Sequence, residues 1–138
     1  MAANTSPRFP AASRLQWNQT ILTAANTAKD GTGTVTTVFN ASPTDGSWVK
    51  SVVFQPGGTN VASVARIFVN NGGANSTAAN NNLYGQLTLP AVTNSEVAAV
   101  FSPTYPMALW LPAGYTLFVT LGTAVVGGYW VTVVGADY

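Results

Sequence analysis

The sequence predicts an all-β fold, a jelly-roll-like antiparallel β-sandwich of about eight short strands with an extended N-terminal arm, and three features predict it. The first is residue type: among 138 residues there are 18 Thr, 17 Val and 12 Asn, which suit pleated strands and their turns, while Glu appears once and Lys twice. Helix formers for a solvent face are therefore nearly missing. The second is period: apolar residues alternate with polar ones over short runs, and no stretch repeats them at helical spacing. The third is punctuation, since 13 Gly and 8 Pro cut the chain before any long element is reached.

Each element can be justified in order. Residues 1–14 form the expected arm: Pro7 and Pro10 hold it extended, Arg8, Phe9 and Arg14 are its anchoring groups, and no alternation begins before Leu15. Residues 15–138 form the sandwich. Its first strand is expected near Leu15 to Thr23, with Leu15, Trp17 and Ile21 on one face, and its second from Thr34 to Asn40, closed by Ser42-Pro43-Thr44-Asp45-Gly46. Trp48 to Gln55 is the third, closed by Pro56-Gly57-Gly58, and Ala62 to Asn70 the fourth, stopped at Asn71-Gly72-Gly73. A polar loop through Asn82 leads to a fifth strand, Leu83 to Leu89. A short sixth lies near Met107 to Leu111, and Tyr115 to Leu121 and Tyr129 to Gly135 complete the set. Leu111-Pro112-Ala113-Gly114-Tyr115 reads as a tight turn, Pro112 at its second position and Gly114 at its fourth, making a hairpin of the sixth and seventh strands.

Face patterns differ among these strands. Tyr115, Leu117, Val119 and Leu121 alternate with Thr116, Phe118 and Thr120, the pattern of a strand with one buried face. In the third strand Trp48, Lys50, Val52 and Phe54 share one face while Val49, Ser51 and Val53 share the other, so apolar groups lie on both. The eighth strand repeats that two-sided character. A two-sheet sandwich has one inner side, so such strands point to an outer face covered by another chain, or to scattered β-branched surface.

Composition excludes most chemistry. Charged residues make up 7% of the chain against 47% hydrophobic, and the net charge is +1, so no basic footprint exists for a run of phosphates. Cys and His are absent, which removes disulfide scaffolds, thiolate zinc sites and triads that need a histidine. The carboxylates Asp30, Asp45, Glu96 and Asp137 are dispersed, and the first two sit in Asp-Gly turns that already account for them. No catalytic residue, metal ligand or cofactor is therefore assigned, and the chain reads as a protein that is not an enzyme. The start lacks the pattern of a secretory signal, and Pro and Gly interrupt Val97 to Val134 too often for a spanning helix. Neither a nucleic acid nor a membrane is an expected partner.

Two features allow a binding role. The tract from Asn70 to Asn82 holds amides that suit sugar hydroxyls, and equally suit capping of its own turns. Trp17, Trp48, Trp110 and Trp130 suit a core or an interface alike.

Four strings carry a resemblance: Pro7-Arg8-Phe9-Pro10-Ala11-Ala12-Ser13-Arg14-Leu15-Gln16-Trp17, Lys29-Asp30-Gly31-Thr32-Gly33-Thr34-Val35, Ala65-Arg66-Ile67-Phe68-Val69-Asn70-Asn71-Gly72 and Leu111-Pro112-Ala113-Gly114-Tyr115. In these the chain resembles small proteins encoded by tailed bacteriophages and prophages, among them trimeric capsid cement or decoration proteins. The resemblance implies a homotrimer, synthesised in the bacterial host cytoplasm, that sits on the virion surface and stabilises contacts between major capsid protein subunits. Arg8, Phe9 and Arg14 are its expected capsid contacts. The alternative is a receptor- or glycan-binding module of a phage tail fibre or baseplate.

Overall fold

A computed structural model describes residues 7–138; residues 1–6, the outer part of the expected arm, lie outside the described residues. The strands are β1 (Ala12–Trp17), β2 (Thr36–Asn40), β3 (Ser47–Pro56), β4 (Ser63–Asn70), β5 (Asn81–Leu89), β6 (Thr104–Leu111), β7 (Thr116–Leu121) and β8 (Tyr129–Asp137). They form two antiparallel sheets: a front sheet ordered β1-β8-β3-β6 and a back sheet ordered β2-β7-β4-β5. The all-β sandwich is thus as the residue types require. At every step except β4 to β5 the chain changes sheet.

The core lies between the sheets. From the front come Val49, Val52 and Phe54 of β3 with Tyr129, Val131 and Val133 of β8; from the back come Ala65 and Ile67 of β4 with Leu117, Val119 and Leu121 of β7. Burial of these side chains is the main favourable term of folding, at about 1.5 to 3 kcal/mol for each large one.

Several local expectations are corrected. The expected hairpin of the sixth and seventh strands is a crossover instead, because β6 belongs to the front sheet and β7 to the back. Its turn runs from Pro112 to Tyr115, with Tyr115 N–H donating to Pro112 O at 3.2 Å. Gly114 takes the third position at φ +77°, where a side chain would be strained. In β3 the expected parity does not hold. The register shifts between Val49 and Ser51, so Val49, Val52 and Phe54 all point inward while Trp48, Ser51 and Val53 point outward. Strand β7 is buried on both sides rather than one, since Phe118 and Thr120 are as enclosed as Leu117 and Val119.

The first strand also moves. It starts at Ala12, so Ala12 to Arg14 belong to the sheet and not to the arm, paired with Asp137 to Gly135. It ends at Trp17 because the buried Asn18 side chain replaces the ladder. Its Oδ1 accepts from Val131 N–H at 2.8 Å, and its amide donates to Tyr129 O and to Thr20 O. From there the chain crosses one end of the sandwich, bridging to β8 at Leu22 and to β7 at Ala25.

Residues 26–34 then form a strap over the outer side of the back sheet. Asn26 N–H donates to Leu121 O, and its side-chain amide to Thr32 O and Thr34 O. Asn75 holds Gly31 O and Gly33 O, while Asn81 holds Asp30 O. Beneath lie Phe68 and Phe118, stacked at 5.3 Å between ring centroids and both buried.

Candidate functional site

All four tryptophans project from the outer side of the front sheet. Trp17 of β1 lies opposite Thr132, Trp130 of β8 opposite Gln55, and Trp48 of β3 opposite both Ala136 and Trp110. Each of those positions has the outward parity, and Trp17, Trp110 and Trp130 remain 48%, 53% and 41% exposed. Leu15, two residues before Trp17 on the same side, is 59% exposed.

The indoles gather at two opposite corners. Trp17 and Trp130 are diagonal neighbours across β1 and β8, within reach of each other. Trp48 and Trp110 face each other directly across β3 and β6, and Trp110 meets the ring of Tyr138 edge-on at 6.4 Å. Between Trp130 and the Trp48 row at Ala136 lie five residues of β8, a rise of about 20 Å. Smaller side chains fill that interval, Val53, Thr132 and Val134 among them. In the bulge of β3, Lys50 is the one charge that these strands direct outward, among the described residues.

This face was not legible as such. Apolar groups on both sides of the third and eighth strands signalled an outer face in need of cover, yet the bulge in β3 reversed which residues show it. In β1, Leu15 and Trp17 alternate as a buried pair would, but the strand turns them outward and sets Arg14 and Gln16 toward the sandwich edge.

The expected contact residues stand apart from one another. Arg14 lies in β1, where its guanidinium donates to Asp137 Oδ2 at 2.7 Å, to Gln16 Oε1 and to Asn40 O, and covers the Phe39 ring at 5.1 Å. Asp137 also accepts from Ser47 Oγ, so Arg14 closes the edge between the two sheets. Arg8 pairs with Asp45 Oδ1 at 2.8 Å, on the surface, and with Asp45, Trp110 and Tyr138 it lines a cleft of about 180 Å³. Phe9 is 75% exposed. The arm therefore leaves the sheet beside the Trp48 and Trp110 corner.

Other candidates have structural occupations. The amides of the Asn70 to Asn82 tract hold its own turns and the strap: Asn70 donates to Asn81, Asn80 to Ala74 O, and Asn81 to Asn75 O as well as Asp30 O. Asp30 caps its own turn, and the Thr32 hydroxyl and N–H that it accepts hold its carboxyl below the usual range. Among the described residues, no group of three or more Asp, Glu, His or Cys converges as metal ligands would. Nor is any helix among them long and apolar enough to cross a membrane. Burial pushes the Tyr129 phenol above its ordinary value, the nearby Asn60 amide opposing it in part. That hydroxyl forms no hydrogen bond of ordinary geometry, while Asn60 bonds Gly128 N–H and O.

Compared with known proteins, the chain matches no family model, no curated protein and no solved structure.

Proposed function

We propose that the protein is a structural component of a tailed-phage virion: a capsid decoration protein that acts by binding, as a trimer, and stabilises contacts between major capsid protein subunits. The observation that carries a binding role is the front face, where four indoles lie on one side of the sandwich and the front strands, among the described residues, direct a single charge outward. Trp in an apolar, charge-poor patch is among the side chains that most often dominate association energy. A second support is the wrap of the chain. Alternation between sheets at every step but one, with orders β1-β8-β3-β6 and β2-β7-β4-β5, supports reading the sandwich as a jelly roll, a scaffold frequent in viral capsid and lectin domains. Such a likeness of architecture is analogy, and the site bears the weight of the reading.

A glycan-binding module is the second reading, and one observation favours it: Ser51, Gln55 and Thr132 place hydroxyls and an amide among the indoles. The test is location and re-attachment. Mass spectrometry of purified particles should find the chain in virions, and electron cryomicroscopy should place it on the shell. Particles stripped of it should take back the wild-type protein. Density at the tail tip, with binding to host polysaccharide, would favour the second reading, and absence from particles would defeat both.

A further inference from the structure

We infer that the outer face of the front sheet is the surface through which copies of this chain associate, the indoles of one copy being covered by the front sheet of another. This rests on the reading of the chain as a binding protein, and it names the occupant of the face.

Area is the first argument. With roughly 250 Å² for a whole indole, Trp17, Trp110, Trp130 and Leu15 alone present on the order of 450 Å² at their observed exposures. Spread over the two corners, that area equals the largest apolar patch of an ordinary monomer, which is often a functional one. When two such faces meet, and the partly exposed Trp48, Val53 and Val134 are added, the area covered reaches about 1,000 Å², the least that a specific interface requires.

Charge is the second argument. Among the described residues Lys50 is the one charge that the front strands direct outward, and the Arg8 and Asp45 charges beside Trp110 neutralise each other, so the complement of this face should itself be largely apolar and nearly free of net charge. Among the described residues this face carries three of the exposed large side chains as tryptophans on one sheet, so it is itself a surface of that description, and every copy brings it. Such self-complementarity is what an interface between identical chains requires.

The third argument comes from the other sheet. Where the back sheet carries aromatic groups on its outer side, the chain supplies its own cover in residues 26–34. The front sheet carries more aromatic surface, and residues 7–138 leave it open.

The experiment uses the purified full chain and no ligand. Because every tryptophan lies on this face, intrinsic fluorescence reports on the face alone. Sedimentation should give a mass of two or three times 14.3 kDa at roughly 100 μM, dissociating on dilution, with a red shift of emission and greater acrylamide quenching as the mass falls. The double variant Thr132→Lys, Val134→Lys adds two outward charges mid-face, where side chains are only half-buried in one copy. It should remain monomeric with emission already red and an unchanged circular dichroism spectrum. Val97→Lys, on an exposed loop, should leave the mass unaltered. A wild-type monomer at every concentration overturns the inference, as does an oligomer that the double lysine variant leaves intact. A monomer whose emission shifts only on addition of soluble polysaccharide assigns the face to a glycan instead. Particle re-attachment is measured separately, so an oligomer that fails to bind particles defeats the virion reading and leaves this one standing.

Discussion

On the back sheet, Phe68 and Phe118 are buried beneath residues 26–34, whereas on the front sheet Trp17, Trp110 and Trp130 stay about half exposed. Both outer faces carry aromatic groups, so burial propensity does not separate them. Hydrogen bonding does. The strap over the back sheet is an irregular segment, and its carbonyls at Asp30, Gly31, Gly33 and Thr34 find donors in the amides of Asn26, Asn75 and Asn81. An irregular segment laid on an apolar surface is stable only when its polar backbone groups are satisfied in this way. Outside the front sheet the described residues place no such set of amides. The back surface is finished by the chain's own loop and belongs to the fold, whereas residues 7–138 leave the front one open.

The sharpest way to break that comparison is to delete one aromatic side chain from each face. Phe118→Ala removes a ring enclosed by both the sheet and the strap, and it should destabilise the protein by about 3 to 5 kcal/mol. Trp130→Ala, on the open face, should cost the monomer no more than about 1 kcal/mol, because much of the indole already meets water. Urea unfolding of both variants at a concentration where the wild type is monomeric measures the difference. Equal losses would mean that the strap contributes no burial beyond what open sheet provides.

A smaller effect is expected from the strap's fastening. Asn26→Ala removes two side-chain donors, to Thr32 O and Thr34 O, and the acceptor for Ala28 N–H. At about 1 kcal/mol net for each bond, the loss should be about 2 to 3 kcal/mol. Hydrogen exchange should rise across residues 26–34 and in β7 beneath them, while β1 and β8 keep their protection. If exchange rises evenly over the whole sandwich, the strap is inseparable from the global unfolding unit, and the distinction between the two faces loses its energetic meaning.

Much of the architecture was legible because it rests on local rules. Strand number and class followed from Thr, Val and Asn content and from Gly and Pro punctuation, and six of the eight strands contain nearly the runs expected of them. What the sequence concealed depends on contacts distant along the chain. The bulge between Val49 and Ser51 is set by the partner strands and reverses the outward residues of β3. The second buried side of β7 depends on a strap some 90 residues earlier in the chain, whose Asn amides read equally well as a solvated loop or a sugar site. Arg14 reads as a free cation until Asp137, 123 residues away, is brought beside it. The candidate face itself was half legible: two-sided strands announced surplus apolar surface, but only the register gathers four tryptophans on one side.

The smallest expected effect concerns the segment that joins the arm to the tryptophan face. Arg8 and Asp45 form the side-chain contact of residues 7–11 beside Trp110 and Tyr138, Ala11 N–H being bonded to Asp137 O, and the two side chains are 57% and 40% exposed. An ion pair so open to water gains little, because solvent and salt screen it and two flexible side chains must be ordered. A double-mutant cycle with Arg8→Ala and Asp45→Ala should therefore give a coupling of about 0.5 kcal/mol at low salt, falling toward zero in about 1 M sodium chloride. Phe9→Ala should leave monomer stability unchanged, since most of that ring already meets solvent. Arg14→Ala supplies the contrast: its guanidinium joins Asp137, Gln16 and Asn40 O at a half-buried edge, so its loss should cost about 2 kcal/mol or more. Two arginines six residues apart would then differ severalfold in their effect on the fold, which places the functional boundary of the arm between Phe9 and Ala12. A coupling above about 1.5 kcal/mol for the Arg8 pair would move that boundary outward and make the arm part of the sandwich.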